Sequence, residues 1–206
     1  MNGPYQWQVS GAAKLCGLRL MSARMDILLE SGGLSGLLSG LLALPGLPGV
    51  STEDFRRGDP TVRQHLLTAI LAVFDADAGS GGNTALISCS REGCLKQNRA
   101  YFSDYVQYGR QYGKGHLFVG TLPSTPVCEA AIALRFHGAA YYVDTLGSMD
   151  LFWREAELLL ADHPSVLASH REGETLYSFF LVPGRTAGSP GELSPAALFE
   201  MTGGRS

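Results

Sequence analysis

The sequence GHLFVGTLPSTPVCEAAIALRFHGAAYYVDTLGS, from Gly115 to Ser148, decides the fold. Its apolar run Leu117–Val119 predicts a buried strand, and Thr121–Pro126 predicts a turn. From Val127 the apolar residues recur at helical spacing, which predicts a helix that ends near Gly138.

A second strand and a tight turn follow this helix. Ala139–Val143 has the β-branched and aromatic composition of a strand, and Asp144–Ser148 predicts a sharp elbow before another helix. A strand, a helix, a strand, an elbow and a helix in this order predict an α/β fold. Ligands are then expected where strands give way to helices.

Three blocks of this stretch resemble the β-ketoacyl synthase (ketosynthase) family of the thiolase fold, especially short proteins with only the N-terminal half. Thr121–Pro126 is similar to the family's T-L-P-N-x-x turn. Glu129–Ile132, followed by Leu134–Gly138, stands where the family has a helix ending in F-G-L-x-G-P. Tyr142–Thr145 stands where a strand ends in V-D-T, before an alanine and the nucleophilic cysteine. The resemblance implies half of a thiolase-like fold, a mixed and mostly buried sheet with helices packed on it.

The sequence departs from the family at the nucleophile. In the aligned register Leu146 takes the alanine position and Gly147 takes the position of the cysteine. Glycine has no side chain and cannot form a thioester, so covalent acyl transfer at this position is excluded. The family's two catalytic histidines lie in the second half of its fold, which we do not expect here. The resemblance therefore implies a catalytically inactive ketosynthase-like protein of fatty acid, polyketide or polyene biosynthesis.

The resemblance also implies partners. The family pairs its equivalent strand across a dimer twofold axis, and a neighbouring helix borders the same surface. The predicted interface residues are Ala139, Ala140, Tyr141, Tyr142, Val143 and Arg99. We expect a homodimer, or a heterodimer with an active ketosynthase, and binding of an acyl carrier protein or an acyl thioester.

The elbow keeps a binding role without a nucleophile. Backbone N–H groups near Gly147 and Ser148, at a helix N-terminus, can bind an anion or a thioester carbonyl. The predicted acyl-binding residues are Thr145, Leu146, Gly147 and Ser148, together with Thr121 and Pro123. The alternative is that the elbow is present only because the fold requires it.

Two other functions stay open. A small thioester-processing enzyme, a malonyl-thioester decarboxylase or an acyl-thioester hydrolase, would use this elbow with Cys94 or Ser148 as weak catalytic candidates. Cys94 would then meet His116 or His170, although an unreactive thiol is the simpler interpretation. A scaffold without any ligand is the third possibility.

Composition limits the remaining function classes. The chain has 206 residues, 45% of them hydrophobic, which is enough for one globular domain. Its formal charge of -3 and scattered Lys and Arg give no reason to expect nucleic acid. The four cysteines lack metal-ligand spacing, and no cofactor motif occurs. No apolar run is long enough to span a bilayer, and no signal peptide is evident, so we expect a cytoplasmic protein without metal or cofactor.

The domain is predicted to cover residues 1–182, with a flexible Gly/Ser/Pro-rich tail over 183–206 that holds one short helix at most. Within the domain, residues 33–50 form a Leu/Gly-rich segment whose leucines recur at helical spacing. This helix either packs against the domain or docks a partner. The other predicted elements are a strand at Trp7–Gly11, helices at Leu18–Leu29, Asp59–Phe74, Asn98–Tyr112 and Leu151–Ala161, and strands at Thr84–Cys89, Val166–His170 and Thr175–Val182.

Overall fold

The computed structural model describes residues 6–47, 49–53, 55–109, 114–185 and 193–203. Its strands are β1 Trp7–Cys16, β2 Arg19–Ser22, β3 Leu28–Glu30, β4 Ala85–Ser90, β5 Ala140–Tyr142, β6 Val166–Glu172 and β7 Thr175–Pro183. Its helices are α1 Leu34–Leu42, α2 Pro60–Asp75, α3 Leu95–Tyr108, α4 Gly115–Val119, α5 Thr125–Leu134, α6 Met149–Asp162 and α7 Pro195–Thr202.

The strands form one mixed sheet in the order β3-β2-β1-β7-β6-β4-β5. β4 runs parallel to both β5 and β6, while the other neighbours are antiparallel. β5 stands at one edge and pairs only with β4 within the described residues. The carboxyl ends of β4, β5 and β6 therefore meet at one corner of the sheet, which is the place where α/β proteins bind ligands.

Helix α2 organises one face of the sheet. Asp59 caps it by accepting hydrogen bonds from the backbone N–H groups of Thr61 and Val62, and Pro60 occupies its first turn. Eleven of its sixteen residues are buried because the sheet lies on one side and α1 and α5 lie on the other. The predicted helix from Asp59 is thus confirmed, and the leucine-rich helix α1 packs against the domain through Leu37 and Leu41.

Helices α6 and α7 cover the other face. Their core contains Trp7 and Trp153, whose ring centroids lie 5.3 Å apart, together with Phe179. Strand β7 is central and apolar on both faces, as its sequence predicts, since Phe179 enters this core and Phe180 enters the core around α2. The predicted α/β sheet with helices packed on it is therefore confirmed.

Two predicted elements are wrong, and a third is present as a helix whose packing differs from expectation. Leu18–Leu29 is not a helix but holds β2 and β3, because Gly17 turns the chain back at φ 59° and β2 then pairs with β1. Leu117–Val119 is not a buried strand but part of the short helix α4, with Phe118 and Val119 about half exposed. The aromatic side of the helix at Asn98–Tyr112 is not core, since α3 has no buried residue and its described part ends at Tyr108.

Part of the predicted C-terminal tail is packed. Residues 193–203 carry α7, which Ser194 caps, and its Leu198 and Phe199 are buried against β1 and β7. Lys14 of β1 also lies 4.4 Å above the Phe199 ring centroid. Residues 186–192 of the predicted tail lie outside the described residues. In the described part of the chain, no helix is long and apolar enough to cross a membrane.

Candidate functional site

The elbow after β5 is sharp and exposed. Leu146 and Gly147 both have positive φ, 49° and 86°, and the Asp144 carboxylate accepts a hydrogen bond from the Leu146 N–H at 3.0 Å. The Leu146 side chain is 88% exposed, and no described residue apart from the two chain neighbours lies within 4 Å of the place where a Gly147 Cβ would stand. Ser148 caps α6 by accepting from the Leu151 N–H. Two consecutive residues in the left-handed backbone conformation, the second of them a glycine, are typical of such a tight turn.

Among the residues that the structure describes, the strand before the elbow is an open edge. All three residues of β5 are half-buried, and Ala139 and Val143 are packed against the core under α6. The Tyr141 hydroxyl donates to the Glu155 carboxylate of α6 at 2.5 Å, and burial, together with this bond, raises the pKa of Tyr141. The other predicted interface residue, Arg99, is exposed on α3. An edge strand with unpaired backbone groups is a template for pairing with another chain.

The Thr121–Pro126 turn lies apart from the elbow. Pro123 lines a small cavity at the carboxyl ends of β4, β5 and β6. The backbone carbonyl of Thr121 accepts a hydrogen bond from the Cys94 thiol. The elbow residues Thr145, Leu146, Gly147 and Ser148 do not line this cavity. The structure therefore places the predicted acyl-binding residues in two different locations.

Cys94 is not paired with a histidine in the described residues. Its thiol donates to the Thr121 carbonyl oxygen at 2.7 Å and lies 3.5 Å from the Asn98 amide. His170 instead contacts Cys89, with Nδ1 and Sγ 2.9 Å apart. The side chain of His116 lies outside the described residues. Cys94 thus has the hydrogen bonds of a structural thiol.

The Cys89–His170 pair is neutral. Burial raises the pKa of the Cys89 thiol to about 12 and lowers the pKa of His170 to about 4. Both shifts favour the uncharged forms, so a thiolate is disfavoured in this environment. Phe152 of α6 covers His170 with ring centroids 6.3 Å apart. Sequence reasoning missed this pair because only the parallel register of β4 and β6 brings the two residues together.

The cavity lies on the opposite face of the sheet, beside α2. Its walls include His65, Ser88, Tyr142 and Arg171, and its volume is about 40 Å³. Burial lowers the pKa of His65 to about 4, with Arg171 acting in the same direction and the Thr61 carbonyl opposing it. None of these residues stands out in sequence as a functional motif. Their only signal is position, since Ser88 and Arg171 lie near the ends of parallel strands.

A larger groove adjoins the cavity. It has a volume of about 560 Å³ and lies between the start of α2 and helices α3, α4 and α5. Among the described residues, no group of three or more His, Cys, Asp or Glu side chains could hold a metal ion. The corner of the sheet thus carries two features, an open edge at β5 and a cleft beside α2.

Comparisons with known proteins identify the fold. No protein-family model and no curated protein sequence matches the chain. Among solved structures, one chain of a ketosynthase (ApeO) in complex with its chain length factor (ApeC) from Xenorhabdus doucetiae is similar, with a TM-score of 0.58 and 15% identity. The similarity covers 99% of this chain and 92% of that one.

A chain of the ishigamide ketosynthase/chain length factor is also similar, with a TM-score of 0.56 and 12% identity. That similarity covers 88% of the present chain but only 59% of the other. Identities this low show the fold alone. The resemblance read from the sequence is thereby confirmed at the level of structure, and the chain has a ketosynthase-like fold, in the form of half of a thiolase-like domain.

Proposed function

We propose that this chain is a non-catalytic ketosynthase-like subunit of polyketide or polyene biosynthesis that pairs with an active ketosynthase. The observation that carries the proposal is the open edge of β5, which ends in an elbow with glycine at the nucleophile position. The structural neighbours support it, because both are described as ketosynthases with chain length factors. Fold likeness alone does not assign a partner, so the argument rests on the surface.

The surface around β5 is apolar on both flanks. Glu155, the partner of the Tyr141 hydroxyl, lies on the same face of α6 as Leu151 and Leu158. These two leucines are 51% and 66% exposed. On the other flank, Cys128 of α5 contacts the Ala140 carbonyl, and Ile132 one turn further on is 67% exposed.

Such a surface fits a partner with a matching edge. Large exposed apolar side chains beside an unpaired strand indicate an interface, since a partner strand can replace the water bound to the backbone groups and remove the leucines from water. The exposed Leu146 extends this surface across the elbow. A ketosynthase subunit is the proposed occupant because its fold presents the same kind of edge, so the two sheets continue across the contact.

Co-expression with each ketosynthase of the source organism tests the proposal. We expect one of them to form a stable one-to-one complex, measured by light scattering after size-exclusion chromatography. Leu151→Glu with Leu158→Glu should weaken that complex roughly tenfold or more, as loss of central apolar contacts does at other interfaces. The matched control is Leu42→Glu on α1, a leucine with 45% exposure that lies away from β5.

Other outcomes would contradict the proposal. A chain that stays a monomer or a homodimer when it is co-expressed with each ketosynthase has no such partner. Equal weakening by Leu42→Glu would show that the surface is not specific. Condensation activity of the isolated chain, lost on substitution of one of its own residues, would show that it is a catalyst.

No specific observation favours the alternative of a thioester-processing enzyme. The thiol of Cys94 donates to a backbone carbonyl, and Ser148 caps α6. Acyl carrier protein binding stays a prediction that follows from the same role. We therefore propose no second function.

A further inference from the structure

We draw no further inference here: the strongest candidate, the surface patch that the exposed side chains of Leu95, Phe102 and Val106 form along one face of α3, carries no proposal because nothing in the structure shows what covers it.

Discussion

Replacement of the buried Asp75 by alanine should destabilise the fold strongly. Asp75 ends α2, is 2% exposed, and joins three segments through its carboxylate. Oδ2 accepts from the Ala12 N–H of β1 at 2.8 Å, while Oδ1 accepts from Arg24 and Met25 at 3.0 and 2.8 Å. The side chain thus fastens β1 and the connection after β2 to the helix.

The magnitude follows from these three bonds. The Ala12 N–H is fully buried, so its loss of an acceptor costs about 1–3 kcal/mol. Arg24 and Met25 are exposed, and water can replace the carboxylate at a net cost of about 0.5–1.5 kcal/mol each. The variant also avoids burying a charge, which offsets part of the sum. We expect a net loss of about 3 kcal/mol, a large fraction of the roughly 5–15 kcal/mol that stabilises a typical domain.

Urea unfolding followed by far-UV circular dichroism measures this loss as a shift of the midpoint at an unchanged slope. Asp77→Asn is the matched control, because Asp77 lies two residues further on, is exposed and has a φ of 53° that asparagine tolerates. That variant should change the free energy of unfolding by less than about 0.5 kcal/mol. A loss below about 1 kcal/mol for Asp75→Ala would refute the reasoning, since it would mean that water reaches the Ala12 N–H.

Three further predictions concern titration, packing and thiol reactivity. His65 has a pKa of about 4 against its ordinary 6.5, so it contributes stability that is fully present above pH 6.5 and is lost as the pH falls towards 4, about 3 kcal/mol in total. Urea midpoints across this window should depend less steeply on pH in His65→Gln, and the remaining dependence should include the share of His170, whose pKa is also about 4. Gly138→Ala should lower the free energy of unfolding by at least about 2 kcal/mol, because its Cβ would lie 2.4 Å from the backbone carbonyl oxygen of Thr84, the residue before β4. The control Gly79→Ala places its Cβ where no atom lies within 4 Å, so it should leave the urea midpoint unchanged. Alkylation with N-ethylmaleimide, followed by peptide mass spectrometry, should modify the exposed Cys16 first and Cys89 only after unfolding, because burial keeps that thiol protonated with a pKa of about 12.

Much of the fold could be predicted because local and global signals agree. Asp59-Pro60 starts α2 with a cap and a first-turn proline, and the turn after Glu172 contains Gly173 at φ 57° between β6 and β7. The apolar residues on both sides of β7 also predict a central strand. Each of these signals is read within about ten residues and needs no knowledge of the rest of the chain.

The structure of the two wrongly predicted elements depends on contacts with residues that are distant in sequence. Leucines and methionines in Leu18–Leu29 recur at helical spacing, but pairing of β2 with the long strand β1 overrides that preference. Leu117–Val119 is a short apolar run, and such runs do not distinguish a strand from a helix. Its exposure could not be read from the sequence, because it depends on how α3 and α4 stand away from the sheet.

The candidate site was predicted only in part for a related reason. The alternation of side chains along β4 and β6 separates their polar residues by face. Ser88 and Arg171 point towards α2 and the cleft, whereas Cys89 and His170 point towards α6. A search for a nucleophile near a base selects the second pair, yet Phe152 covers it and its groups are neutral. The first pair has no catalytic signature, and only the structure shows that it opens onto a groove.

This division by face bears on the proposed role. A partner seated on β5 would contact α5, α6 and the elbow, on which Ile132, Leu151 and Leu158 are exposed. Cys89 belongs to the core under α6 together with Phe152, so its thiol is not part of the surface that such a partner would contact. The elbow itself presents backbone and the Leu146 side chain, with glycine at the position where the resemblance places the nucleophilic cysteine. In the proposed role the chain shapes or covers a partner's surface at β5, and we expect any acyl transfer in the complex to use the partner's nucleophile.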